Sequence, residues 1–165
     1  MTMTTVIDSP VGPIRLTSDD GLLFGLFFAD DQPASPAADN HPQPFAAVVE
    51  QLDAYFAGTL TEFDVPLRLD GTAFQRRVWD VLRTIPYGHT VSYGEIATEL
   101  GKASASRAVG AANGSNPISV IIPCHRVIGS TGKLTGYGGG LPRKQALLDL
   151  ERRHRPVDAD LLPLR

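Results

Sequence analysis

A cysteine followed directly by a histidine, in Pro123-Cys124-His125-Arg126-Val127, is the stretch best suited to chemistry. Cys124 is the only cysteine in 165 residues. A thiol near its ordinary pKa of about 8.5 is mostly unreactive at neutral pH, and it becomes a nucleophile when a base takes its proton. An adjacent imidazole can do so directly or through a water. The imidazole in turn needs an acid to orient it. Glu151 is the best candidate, and Asp149 fits by spacing too. Two plainer readings compete. A lone cysteine commonly serves as a small buried apolar side chain, and neighbours on an extended segment point to opposite sides, so His125 need not touch Cys124.

The flanking segments must position this pair. The apolar run Ile118-Ser119-Val120-Ile121-Ile122 predicts a buried strand ending at the cysteine, and a glycine-rich segment closing on Tyr137-Gly138-Gly139-Gly140 follows it. A last helix is expected from Pro142 to about His154, with Pro142 at its first position. Upstream, Thr72-Ala73-Phe74-Gln75 and Ser92-Tyr93-Gly94-Glu95 both fit capping boxes. The first opens a helix with an apolar stripe at Phe74, Val78, Leu82 and Ile85; the second opens a short helix through Leu100, stopped by Gly101. A third helix is expected over 104–113. Two short helices joined by a glycine-containing turn make a helix-turn-helix. The second of them is rich in small residues, Ala105, Ala108, Gly110, Ala111 and Ala112. Such a face suits close approach to a duplex backbone or to a neighbouring helix, and spacing alone leaves both open.

The first half reads differently. Strands are expected near Thr4–Asp8, Ile14–Ser18 and Leu22–Phe28, separated by turn signals, as an antiparallel meander. Residues 30–44 hold four prolines and read as a loop. Phe45, Val48, Val49, Leu52 and Phe56 then recur at helical spacing, with Gly58 as a stop, and a short segment around Phe63–Leu69 leads onward.

Composition is globular, with 42% apolar and 20% charged residues, and no run long enough to span a membrane. Met1-Thr2-Met3-Thr4 carries no basic segment before an apolar one, so no secretion signal is expected. One cysteine forms no internal disulfide and supplies no multi-cysteine zinc site, and the scattered His41, His89 and His154 show no ligand spacing, so the expectation is a reduced, cytoplasmic protein without metal or cofactor. The net charge of −3 conceals a division. Residues 1–71 carry two basic against eleven acidic residues, while 72–155 carry twelve against five. A basic half beside an acidic one suggests that only the second meets a polyanion.

The segment Pro123-Cys124-His125-Arg126-Val127 resembles the active-site motif of the O6-alkylguanine-DNA alkyltransferases. The resemblance continues through Arg76-Arg77-Val78-Trp79, Ile85-Pro86-Tyr87-Gly88, Val91-Ser92-Tyr93, Ser106-Arg107-Ala108-Val109-Gly110, Asn116-Pro117, Gly136-Tyr137, Lys144 and Glu151, in order and spacing. It implies an α+β protein: a small N-terminal antiparallel sheet plus helix (RNase H-like) over 1–71, a mainly helical, winged-helix-like domain with the helix-turn-helix over 72–155, and a tail over 156–165.

It also implies single-turnover DNA repair. O6-alkylguanine is flipped out of double-stranded DNA and its alkyl group passes irreversibly to Cys124. His125 is then the base acting through water, Glu151 its partner, and Tyr93 the donor to the leaving guanine near N3. Asn116 ties the recognition helix to the reactive segment, and Lys144 lies near its backbone. Carbonyls of Cys124 and Val127 read the guanine amino group, while Tyr137 and the Gly138 backbone cover the base. Arg107 fills the space left by the flipped base. Together with Tyr93, Ala105, Ala108, Gly110 and Arg126 it contacts DNA, with the helix in the minor groove. A monomer is implied. A non-catalytic lesion-binding relative, a cysteine hydrolase and a thiol-dependent transcription regulator are the alternatives.

Overall fold

The computed structural model describes residues 2–30 and 45–155. Strands β1 (Thr2–Ile7), β2 (Ile14–Asp19) and β3 (Leu22–Phe28) form an antiparallel sheet in chain order. On β2, Ile14, Leu16 and Ser18 are buried in alternation, the two-residue period of a strand with one covered face. Helix α1 (Phe45–Phe56) adds Phe45, Val48, Leu52 and Tyr55 to the same apolar cluster. Gly58 ends it at a φ of 82°, and a Cβ there would overlap the His154 ring, so both conformation and space select glycine. The segment around Phe63–Leu69 forms no strand of its own, but Leu67 bridges Leu23 of β3. The proline-rich stretch beyond Asp30 and the tail 156–165 lie outside the described residues.

Helices α2 (Ala73–Leu82), α3 (Tyr93–Glu99), α4 (Ser106–Gly114) and α5 (Leu141–His154) build the second half. Both expected capping boxes form: Thr72 and Gln75 at α2, Ser92 and Glu95 at α3, each with the side chain and backbone bonded reciprocally. Trp79 is buried on α2 and its indole N–H donates to the Ala112 carbonyl at 2.9 Å, fixing α2 to α4. Gly101, at φ 76°, turns the chain between α3 and α4. The helix-turn-helix is thus formed. α4 starts two residues later than expected, and Ala105, at its cap, offers no side-chain acceptor. Two short strands, β4 (Val91–Ser92) and β5 (Val127–Ile128), pair in parallel and bring the start of α3 beside the segment after Cys124.

The run 118–122 is not a strand. Only Ile118 bridges β3, at Leu26. Val120 then adopts φ 71°, a costly conformation for a β-branched residue, and the backbone tightens through bonds from Ile121 to Ser119 and from Ile122 to Ile118. Ile118, Val120 and Ile122 are all buried, so the apolar run reflects a turn enclosed by the core rather than a sheet. One apolar cluster extends through both halves. Among the described residues, no helix is long and apolar enough to cross a membrane, and no group of three His, Cys, Asp or Glu residues is placed to hold a metal.

Candidate active site

The turn after Val120 delivers Cys124 to the first position of a single 3-10 turn, Cys124–Arg126. Successive residues on so tight a turn diverge. Cys124 lines a cavity of about 410 Å³ together with Tyr93, Gly110, Asn116, Ser119, Tyr137 and Gly138, whereas His125 lies behind it, fully buried. His125 Nε2 meets Glu151 Oε2 of α5 at 2.6 Å. A carboxylate only accepts, so Nε2 carries the hydrogen, which leaves Nδ1 as the lone-pair nitrogen. Nδ1 is buried and makes no hydrogen bond among the described residues. Asp149, the other candidate acid, is on the surface with Gln145 and Arg152.

Glu151 is crowded with donors. Oε1 accepts from Arg126 Nε at 2.8 Å and Gly88 N–H at 3.2 Å; Oε2 accepts from Arg126 at 3.0 Å and Tyr55 O–H at 2.7 Å as well as from His125. Burial acts to raise its pKa, but His125 and Arg126 override that and hold the carboxyl well below the usual range. Burial lowers the pKa of His125 against the pull of Glu151, which favours the neutral ring a base requires. Burial pushes the Cys124 thiol up, opposed by the Asn116 side chain, the Lys144 charge and Ser119, so little thiolate forms at neutral pH unless a base takes the proton.

Asn116 donates to the Ile122 carbonyl at 2.7 Å and accepts from Ile118 N–H at 2.9 Å, which staples the reactive turn to the end of α4. Lys144 is buried on α5 and donates to the carbonyls of Val127 at 2.5 Å and Thr135 at 2.7 Å. Burial lowers its pKa, against the pull of Cys124. Val127 does not line the cavity, and its carbonyl already receives Lys144. The Cys124 carbonyl receives Asn113 Nδ2 at 3.4 Å. The Tyr93 hydroxyl accepts from Thr135 at 3.1 Å, so its own hydrogen is free to point into the cavity.

Within the glycine segment the tight position is Gly139. No atom lies within 4 Å of a Cβ built on Gly138, whereas one on Gly139 would meet Phe28 at 2.6 Å. Phe28 packs against Tyr137, and Arg143 lies over the Phe28 ring while bonding Val11, Asp30 and Gly139, so the first sheet clamps this segment.

On α4, Arg107, Ala108 and Ala111 are exposed, Ala105 and Gly110 half-buried, and Gly110 borders the cavity. Arg126 does not belong with them. It is 6% exposed, and its guanidinium is engaged by Glu151 and by the Ile85 carbonyl at 2.7 Å. The expected DNA contact there is replaced by an internal ion pair, because the 3-10 turn directs this side chain inward.

Sequence reasoning missed Asn113, Ser119, Phe27, Phe28 and Tyr55. Asn113 had a signal: it follows Val109 by four residues and so shares its buried helix face. Ser119 was the lone polar residue in an apolar run. The three aromatics reach the site only through the packing of the first half on the second, which local pattern does not reveal.

Fold and site together define a helix-turn-helix protein in which a cysteine lines a cavity in front of a buried, hydrogen-bonded histidine–carboxylate pair. Residues 73–153 match the 6-O-methylguanine DNA methyltransferase DNA binding domain, and residues 3–69 match the ribonuclease-like domain of the same proteins. A methylated-DNA–protein-cysteine methyltransferase of Mycolicibacterium paratuberculosis is 57% identical, over 94% of this chain and 95% of its own. One from Methanosarcina acetivorans is 49% identical, over 88% and 96%. The crystal structure of Mycobacterium tuberculosis O6-methylguanine methyltransferase has a TM-score of 0.84 at 54% identity, covering 98% of this chain and 99% of that one. A structure of the Mycobacterium tuberculosis protein in complex with DNA gives 0.83 at 55%, covering 96% and 98%. The chain belongs to the O6-methylguanine DNA methyltransferase family, and its activity is methyl transfer from methylated DNA to a protein cysteine.

Proposed function

We propose that Cys124 is the acceptor cysteine and that each molecule acts once. The observation that carries this reading is the buried His125–Glu151 pair, 2.6 Å apart, behind a thiol that faces a cavity. The thiol proton passes through a water to His125 Nδ1, and Glu151 stabilises the imidazolium. The sulfur attacks the O6-alkyl carbon; the S–C bond forms as the C–O bond breaks, and its electron pair moves onto the purine. Tyr93 donates at guanine N3 as that charge builds. The proton balance closes when the imidazolium releases its proton to solvent and Tyr93 takes one back. A thioether is not readily hydrolysed, so no step regenerates the thiol.

The partner in this reading is double-stranded DNA containing O6-alkylguanine. α4 lies in the minor groove, where the exposed Ala108 and Ala111 permit close approach and Arg107 occupies the gap left by the flipped base. Flipping costs a few kcal/mol, and such a plug offsets part of it. Tyr137 and the open backbone at Gly138 cover the base. The domain division falls at residues 71 and 72, and the protein works as a cytoplasmic monomer. The test is titration of an O6-methylguanine duplex against protein, with intact mass and peptide mapping. One methyl group per chain, on Cys124, is the expected endpoint. An unmodified chain, or many equivalents processed per chain, overturns the reading.

A further inference from the structure

Helix α1 belongs to the first half, yet one of its side chains reaches the proton relay. Tyr55 is fully buried, and its hydroxyl donates to Glu151 Oε2 at 2.7 Å. That same oxygen receives His125 Nε2. The ring is held on three sides, with centroids 5.2 Å from Phe56, 5.4 Å from Phe63 and 6.1 Å from Tyr87. Packing therefore aims the O–H at the carboxylate. Burial and the Glu151 charge raise the phenol pKa well above its ordinary value, so it stays a donor.

We propose that Tyr55 is a positioning residue for alkyl transfer: it occupies one lone pair of Glu151 Oε2 and so sets both the carboxylate's orientation and the negative charge it directs at His125. The proposal rests on the reading of Cys124, His125 and Glu151 as the reacting set. Outside the cysteine turn, only Tyr55 O–H and Gly88 N–H hold the carboxylate among the described hydrogen bonds. The charged and titratable groups facing the pair are Arg126 and Cys124 of that turn, Lys144 of α5, Tyr87 between α2 and β4, Tyr137 of the glycine segment and Tyr55 of α1. Of these, Arg126 and Tyr55 bond the carboxylate directly. Removing the phenolic hydrogen concentrates charge on the bond to His125 and favours the imidazolium. The base then stays protonated to a higher pH, and the imidazole is less firmly oriented.

The experiment measures single-turnover transfer from an O6-methylguanine duplex with protein in excess, across pH 5.5–8.5, for wild type, Tyr55→Phe, Tyr55→Met and Val48→Ala. Val48 is buried on the same helix and lines a separate cavity with Leu23, Phe45 and Pro66, so it reports loss of packing. Tyr55→Phe keeps the ring, Tyr55→Met removes the donor in a different shape, and circular dichroism confirms folding. Loss of a hydrogen bond to a charged group predicts transfer at pH 7 reduced about fivefold and an acid limb moved upward by about half a pH unit in both Tyr55 variants. Val48→Ala should keep the wild-type limb. Coincident limbs for Tyr55→Phe and wild type, or an equal displacement in Val48→Ala, overturn the proposal. A wild-type Cys124 that gains no methyl group defeats the reacting set itself; one that gains it while the Tyr55 variants titrate unchanged defeats only the tyrosine.

Discussion

Glu151→Gln tests whether the buried carboxylate serves both the fold and the chemistry. It is isosteric but removes the charge and replaces one acceptor oxygen with an NH2 donor. Both oxygens now accept from donors, Arg126 and Gly88 at one, Arg126, Tyr55 and His125 at the other. Either orientation of the amide therefore sets NH2 against N–H groups. If the NH2 faces His125, the ring bonds it only by accepting at Nε2. The proton then moves to Nδ1, the nitrogen that acts as base in the proposed transfer. Loss of a general base predicts transfer slowed about 10²- to 10⁴-fold. Arg126 is meanwhile left buried without its counter-ion, a loss of about 3–5 kcal/mol. Chemical denaturation and single-turnover transfer on one preparation measure the two effects. Adding Arg126→Met removes the unpaired cation, so the double variant should recover part of the stability but none of the rate. A Glu151→Gln protein with wild-type midpoint and a rate within twofold would refute the reasoning, and a double variant that regained transfer would refute the tautomer argument.

Cys124→Ser should abolish transfer while leaving duplex affinity intact, as read by mass spectrometry and fluorescence anisotropy. Arg107→Ala, exposed on α4, should slow repair in duplex DNA far more than reaction with free O6-benzylguanine; equal losses on both would remove it from a flipping role. Gly139→Ala should displace Phe28 and lower both stability and transfer, because its Cβ would lie 2.6 Å from that ring. Gly138→Ser meets no such contact, so it should fold normally and alter the ratio of O6-methyl- to O6-benzylguanine rates.

Much of this was legible because the signals are local. The capping boxes at Thr72 and Ser92 need only four residues each, and both form. The alternation on β2 and the stripe on α1 likewise follow from side-chain direction along one element. The reactive turn was harder. An apolar run of five residues looks the same whether a strand or a turn is enclosed by the core, and the left-handed Val120 leaves no mark in composition. The DNA contact implied for Arg126 fails because a basic residue in a motif carries no sign of the buried acid that pairs with it in the fold. Glu151 was reachable in the sequence through family spacing, whereas Tyr55 is 96 residues away from it and depends on how the two halves pack.

The same constellation dictates how stability responds to acid. His125 is held below its ordinary pKa chiefly by burial, and Glu151 below its own by His125 and Arg126 despite burial. In both cases the unfolded chain binds the proton more readily than the folded one, so stability falls as pH falls. The histidine contribution begins to be lost below about pH 6.5, the ordinary imidazole value, and the carboxylate contribution below about pH 4.3, continuing down to the depressed folded value. The two groups share a hydrogen bond, so the first step belongs to the pair rather than to one ring. Denaturant midpoints at pH 7.5, 5.5 and 4 should therefore decline in two stages. Glu151→Gln starts less stable but should lack the second stage, because an amide does not titrate. An unchanged slope below about pH 4.3 in that variant would show that other carboxylates govern acid unfolding and that Glu151 is not held as its contacts indicate.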